Sequence, residues 1–584
     1  MDFFRKVLAS CLGTSIALII LTFSGFFLFG ILVSSMDKDS KVIVTNNSVL
    51  EINLGSPVKD YVPVSDNPLD KLFDDDKLQL SSIINAIENA KYDDKIKGIS
   101  ILNLIVNAGI AQTQAIRNKL VEFKETGKFI TAYADFYTSK NYYLSSVADS
   151  IYVTPYGGVD FKGLSSERLF YKDFQEKYGV KMEVIRHGKY KSAVEGYLNN
   201  KMSDANREQI SSFLNSIWSE IIEDISISRN KTVDELNLIA DDLLARSSKL
   251  AVANGMLDGA IYQDEYADRL DILVGDTAVE TVSLEDYIAT GKGRMRSISS
   301  NKIAVLYAQG DILYGKGDET YIGQESMIKA IRKVKDNDGI KAVVLRVNSP
   351  GGVALTADLI WRELELLKKE KPLIVSMGNL AASGGYYIAA NADKIFAEPT
   401  TITGSIGVFG TIPNFSELIG NIGINAEQVS TNKNSIGYTP YEPMTKEFYD
   451  VTKEGVEMVY KMFLDRVAKG RNMTMEEADA VAQGRVWTGK EAKEIGLVDE
   501  LGNLDDAVAY AAKMAEITEY KTTSYPRFEN NLEDSFKSFP FMNMKDNMIK
   551  EELGEVNYKI YKEVEKMSKI KGIQARLPYN IDIK

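Results

Sequence analysis

Residues 377–387 read MGNLAASGGYY and set Ser383 among small residues, directly ahead of Gly384 and Gly385. A serine hydroxyl becomes a nucleophile only beside a base. It becomes useful for acyl transfer only beside donors that hold the developing oxyanion. A strand-to-helix turn here places Ser383 at a helix N-terminus, where free N–H groups and the helix dipole favour negative charge. Gly384 leaves room for a substrate backbone, and the turn Ser349-Pro350-Gly351-Gly352 can bring a second N–H to the same place. The stretch fits a plain N-cap serine with packing glycines equally well. A base must therefore be found. His187 is the only histidine in the chain. Lysine is the other choice, provided burial leaves its amine neutral.

The elements that must position these groups are organised by a repeat of domain size. IKGI (96–99) matches IKAV (340–343), and KNYYLSSVADSIYVTP (140–155) matches GGYYIAANADKIFAEP (384–399) at the same offset. Gly179, Glu183 and Lys189 fall on Gly423, Glu427 and Lys433, and RNKT (229–232) resembles RNMT (471–474). The duplication predicts two units, 45–290 and 301–520, joined near GKGRMRSISSN (291–301). Within each, short apolar strands alternate with helices, as in a parallel α/β sheet. Ligands of such sheets gather beyond the carboxyl ends of the strands, where SPGG and Ser383 both fall. The offset carries Ser383 back to Ser139, but Gly384 and Gly385 to Lys140 and Asn141, and Gly351 and Gly352 to Asn107 and Ala108. Conversely, Lys191 in RHGKYKSAVEGY (186–197) falls on Ser435. A site completed across the two units accounts for both asymmetries. His187, close to Lys191 in sequence, keeps a histidine base open.

Residues 1–40 form a membrane anchor, a helix over about 7–34, because no charge lies between Lys6 and Asp37 and about 20 apolar residues cross a bilayer. Arg5 and Lys6 before the run place the N-terminus in the cytoplasm and the bulk of the chain outside. Leu8-Ala9-Ser10-Cys11 resembles a lipoprotein box, but almost no apolar stretch precedes it, so Cys11 reads as a residue of the membrane helix. Residues 521–584 read as a helical C-terminal extension, on the charged helical pattern of 545–572. A net charge of −13 argues against nucleic-acid binding. One cysteine and one histidine exclude an intrachain disulfide, a cysteine-rich zinc site and a histidine-cluster metal site. HGKYKS lacks the first glycine of a phosphate loop, and Tyr190 follows Lys189, which excludes that motif.

MGNLAASGGYYIAANADKIFAEPTTITGSIGVFG (377–410), NSPGG (348–352), YKSAVE (190–195), the duplication and the ending IQARLPY (573–579) together resemble the signal peptide peptidases of protease IV type. The resemblance covers nearly the whole chain. It implies two tandem Clp protease/crotonase-like domains built from ββα units in a spiral. It also implies a Ser-Lys dyad, with Ser383 as nucleophile and Lys191 as general base. Ser405, in TGSIG, would orient the amine, and Gly351, Gly352 and Gly384 would surround the oxyanion. No metal or organic cofactor is implied. The family assembles as a bowl-like homotetramer outside the bacterial inner membrane and cleaves remnant signal peptides. Two other classes compete with this reading: a crotonase-type acyl-thioester enzyme, which the export signal opposes because coenzyme A is cytoplasmic, and a non-catalytic membrane scaffold, which the presence of Ser383 and Lys191 opposes.

Overall fold

The computed structural model describes residues 2–36, 43–63, 78–275, 278–295, 297–528 and 573–577, and singly 549, 554, 558 and 562. The chain builds one α/β arrangement twice. In the first copy six strands lie in the order Gly259–Ala260, Ser150–Val153, Phe129–Ala134, Ile96–Ile101, Ser48–Ile52 and Glu280–Ser283, every neighbour parallel. The second copy repeats that order in parallel with Glu500–Leu501, Lys394–Ala397, Leu373–Ala382, Ile340–Ser349, Lys302–Gln309 and Lys521–Tyr525. Strands Ile402–Gly404 and Val486–Thr488 branch from the far end of Leu373–Ala382. Helices cover the sheets, so central strands such as Ile340–Ser349 are apolar and buried almost throughout rather than alternating.

The duplication reaches the caps. Helices Asp204–Arg229 and Lys446–Arg471 are both 26 residues long. Each opens on a hydroxyl that accepts a backbone N–H (Ser203, Thr445) and closes on a left-handed asparagine (Asn230, Asn472).

A third sheet joins the copies. Its order is Tyr321–Gly323, Asp311–Leu313, Gly351–Val353, Gln574–Arg576, Val408–Asn414 and Lys181–His187. The last strand belongs by sequence to the first copy, yet it pairs antiparallel with Val408–Asn414 of the second, from His187 opposite Val408 to Lys181 opposite Asn414. Nearby, Asp60 of the first copy meets Arg346 of the second at 2.7 Å with both side chains buried, and Arg346 also donates to Ser376 Oγ and the Met377 carbonyl.

Three expectations change. The extension expected to be helical from 521 opens with strand Lys521–Tyr525, which occupies the edge position that Glu280–Ser283 holds in the first copy. Three of its five residues, Thr522, Thr523 and Tyr525, are β-branched or aromatic, as suits a strand. The extension also ends in strand Gln574–Arg576. The helix expected over 545–572 lies outside the described residues except at 549, 554, 558 and 562. The Ser349–Gly352 turn is instead the end of one strand and the start of another, Gly351–Val353, because Gln574–Arg576 pairs with it. The N-terminal helix runs from Asp2 to Met36, beyond the expected 7–34, and Arg5–Gly25 is long and apolar enough to cross a membrane.

Candidate active site

Ser383 follows strand Leu373–Ala382 and precedes the short helix Gly384–Ala389. Its backbone is at φ 56° and ψ −116°, a sparsely populated region for a residue with a side chain. Such a residue costs of the order of 1–3 kcal/mol and persists only where its surroundings over-determine it. Here its N–H donates to the Gly404 carbonyl at 2.8 Å and its carbonyl accepts from Tyr387 N at 2.8 Å. The hydroxyl makes no capping bond to the helix, so the plain N-cap reading of Ser383 is not what the structure shows.

The group on the Ser383 hydroxyl is Lys191, 3.0 Å from Oγ to Nζ. The amine is also 3.0 Å from the Ser405 carbonyl oxygen and 3.0 Å from Ser405 Oγ. Lys191, Ser383 and Ser405 are all fully buried. Burial alone pushes the Lys191 amine well below its usual range, and among the described residues no carboxylate favours the ammonium. The hydrogen bonds fit a neutral amine. Its two N–H bonds go to the Ser405 carbonyl, which can only accept, and to Ser405 Oγ. A neutral amine placed this way turns its lone pair to the Ser383 O–H. The ring of Phe409 forms part of the dry wall, with its centroid 5.9 Å from the amine.

Gly351, Gly352 and Gly384 crowd together beside the serine. A Cβ on Gly351, whose φ is +92°, would fall 2.6 Å from Gly384 N and 2.3 Å from the Ala575 carbonyl. A Cβ on Gly384 would fall 3.2 Å from Gly352 N. Only glycines let these two backbone segments approach. The Gly351–Val353 edge is not vacant: Gly351, Gly352 and Val353 stand opposite Arg576, Ala575 and Gln574.

His187 is elsewhere. Its Nδ1 is 2.8 Å from Glu457 Oε2, and its ring stacks on Tyr460 at 3.8 Å. In the first copy, the place of the serine turn has relaxed. Thr138 is an ordinary cap at φ −72°, Ser139 Oγ donates to the Asp160 carbonyl, and Lys140 Nζ donates to the Ala108 carbonyl at 2.7 Å. The lysine thus fills the space that Gly384 and Gly352 leave open in the second copy.

Sequence reasoning missed Gly484 and Gln209, which pack around the lysine. Gly484 carried a signal. The helix caps Ser247 and Thr488 hold the same place in the two copies, and counting back equally from each sets Leu243 against Gly484. Gln209 left no such trace.

A buried serine hydroxyl in contact with a buried lysine, set once in a duplicated α/β chain, fits the class of the serine peptidases. The comparisons with known proteins agree: the model of Peptidase family S49 matches residues 122–275 and again 365–518. The chain belongs to peptidase family S49. It is similar to Protease 4 of Haemophilus influenzae, 38% identical over 411 residues that cover 68% of this chain and 67% of that protein. Protease 4 of Salmonella typhi is 35% identical over 467 residues, 77% of this chain and 75% of that protein. A protein of Enterococcus faecium named as a putative signal peptide peptidase is 33% identical over 233 residues, 39% of this chain and 68% of that protein.

Proposed function

We propose that this serine peptidase hydrolyses remnant signal peptides with Ser383 as nucleophile and Lys191 as general base, the two supplied by different units. The carrying observation is the 3.0 Å contact between the buried Lys191 amine, whose charged form burial disfavours, and the Ser383 hydroxyl. Lys191 Nζ takes the proton of Ser383 as Oγ bonds to the scissile carbonyl carbon. The Gly352 and Gly384 N–H groups hold the oxyanion, with Gly351 giving the clearance. Collapse breaks the C–N bond, and the Lys191 ammonium returns its proton to the leaving amine. A water then attacks the acyl-enzyme, giving its proton to Lys191, and as the C–Oγ bond breaks the ammonium returns that proton to Ser383 Oγ and the acid departs. Ser405 orients the amine through both its oxygens. A substrate that pairs with Gly351–Val353 displaces strand Gln574–Arg576 from that edge.

The same reading takes the units as 45–290 and 301–520, each a Clp protease/crotonase-type ββα spiral, assembled as a homotetramer. The apolar helix and the preceding Arg5 and Lys6 support a single-pass protein of the bacterial inner membrane, with its N-terminus cytoplasmic and its catalytic units periplasmic. Substrate class rests on the resemblance to signal peptide peptidases. Labelling by a fluorophosphonate probe tests the chemistry. Wild type is expected to label, Ser383→Ala not at all, and Lys191→Ala only marginally; full labelling of Ser383→Ala would refute the nucleophile.

A further inference from the structure

Between strand Lys181–His187 and the turns from Ser192 onward, the loop that carries Lys191 has no regular structure of its own. Something outside the loop must hold the amine on Ser383. Building on the reading of Lys191 as the base, we propose that Gln483–Arg485 of the second unit and Gln209 of the first form a strap that positions the Lys191 amine and excludes water from it.

The strap grips the loop from one side through its backbone. Tyr190 N donates to the Gln483 carbonyl at 2.8 Å. Gly484 lies against the lysine itself: its φ is +78°, and a Cβ there would fall 2.7 Å from both Lys191 N and Lys191 Cβ. Arg485 follows, its guanidinium between the rings of Tyr190 at 5.1 Å and Trp487 at 4.2 Å, and 2.9 Å from Glu208. From the other side, buried Gln209 donates through Nε2 to the Tyr190 carbonyl at 3.1 Å and to Ser192 Oγ at 2.8 Å, and accepts from Val486 N at 3.3 Å.

The same three residues also fix the partner of the amine. Ser405 N donates to the Arg485 carbonyl at 2.6 Å, and Gly484 N donates to the Ile406 carbonyl at 2.8 Å. One segment therefore sets both the lysine and the serine that receives its N–H bonds. Gln483 is braced in turn. Its Nε2 donates to Asp479 at 2.7 Å, its N–H donates to Tyr460 Oη at 3.4 Å, and Tyr460 lies under His187. The chain's single histidine thus sits at the outer end of a brace for the lysine.

These are positioning residues, and displacement of about 1 Å costs on the order of 100-fold in rate. Full-length Gly484→Ala and Gln209→Ala, with Ser383→Ala and Lys191→Ala beside them, test the strap by kcat, KM and pH profile on a fluorogenic peptide and by thermal unfolding. We expect kcat to fall about 100-fold in Gly484→Ala and about 10-fold in Gln209→Ala, the cost on the order of one buried hydrogen bond for releasing the Tyr190 carbonyl beside Lys191. KM should stay within about 2-fold, and the acid limb of kcat should move to higher pH as water reaches the amine. Folded variants with wild-type kcat and an unmoved acid limb overturn the strap, as does a rise in KM alone. If Gly484→Ala does not fold, Gln209→Ala decides by the same two readouts. Activity in Lys191→Ala overturns the base itself, a separate failure visible without either strap variant.

Discussion

Lys191→Met is the sharpest test of an uncharged base, because it reads the proton without reading catalysis. Methionine keeps most of the buried stem and removes the amine. In the unfolded chain the amine titrates near its ordinary value of 10.5, while burial holds it well below that in the fold. Between those two values the unfolded chain binds one proton more than the folded one. The Lys191 contribution to wild-type stability therefore rises with pH, by about 1.4 kcal/mol per unit, until the pH passes the unfolded value. The methionine variant lacks this slope. Its stability relative to wild type should shrink by about 2.7 kcal/mol between about pH 7 and about pH 9. The lost hydrogen bonds to Ser383 and Ser405 lower the variant by about 1 kcal/mol each at every pH, so the slope decides and the offset does not. In thermal unfolding, about 2–4 °C per kcal/mol for units of 150–250 residues, wild type should gain at least about 5 °C on the variant over that range. Parallel curves would mean that the folded protein keeps the amine protonated, and the neutral-base mechanism would fail.

Ser383→Ala and Lys191→Ala should each lower kcat by at least about ten-thousand-fold, while Ser139→Ala, whose hydroxyl only donates to the Asp160 carbonyl, should hydrolyse peptide at the wild-type rate. Wild-type kcat should fall towards acid pH as Lys191 takes up a proton; a flat profile under chemistry-limited turnover counts against it. Asp60→Ala leaves Arg346 buried without its partner, and a loss of about 3–5 kcal/mol should appear as a lower unfolding temperature. Burial pushes the Glu398 carboxyl up to about 8, and its Oε1 has no partner. The folded state thus keeps a proton that the unfolded chain loses from about pH 5 upward, and the Glu398 contribution to stability falls as pH rises to about 8. Glu398→Gln should gain on wild type across that window, opposite in sign to the lysine slope, as thermal unfolding at several pH values will show.

The pairing of Ser383 with Lys191 was legible because duplication leaves a record of loss. Lys140 and Asn141 stand where the second unit has glycines, and Ser435 stands where the first has Lys191, so each unit declares what it no longer supplies. The route between them was not legible. The pattern of KMEVIRH (181–187) says nothing about which sheet accepts it, and it joins Val408–Asn414 of the other unit. Nor does serine at a strand end announce φ 56°, since that value comes from the bonds of Gly404 and Tyr387 around it. Nothing in the sequence marks Asp60 and Arg346 as buried, because their burial depends on the two units meeting.

A base carried across a contact between units makes that contact part of the chemistry. The amine reaches Ser383 only while Lys181–His187 stays paired with Val408–Asn414 and Tyr190 stays on Gln483. Either bond set can open locally at a free energy below that of global unfolding. The small sheet also contains Gly351–Val353, the edge beside the serine. Loosening the contact should therefore remove the base and disturb the glycine edge together, so weakening Asp60–Arg346 should cost activity at temperatures where the protein is still folded. Loss of activity in Asp60→Ala only together with the unfolding transition would separate the ion pair from the site and refute that coupling.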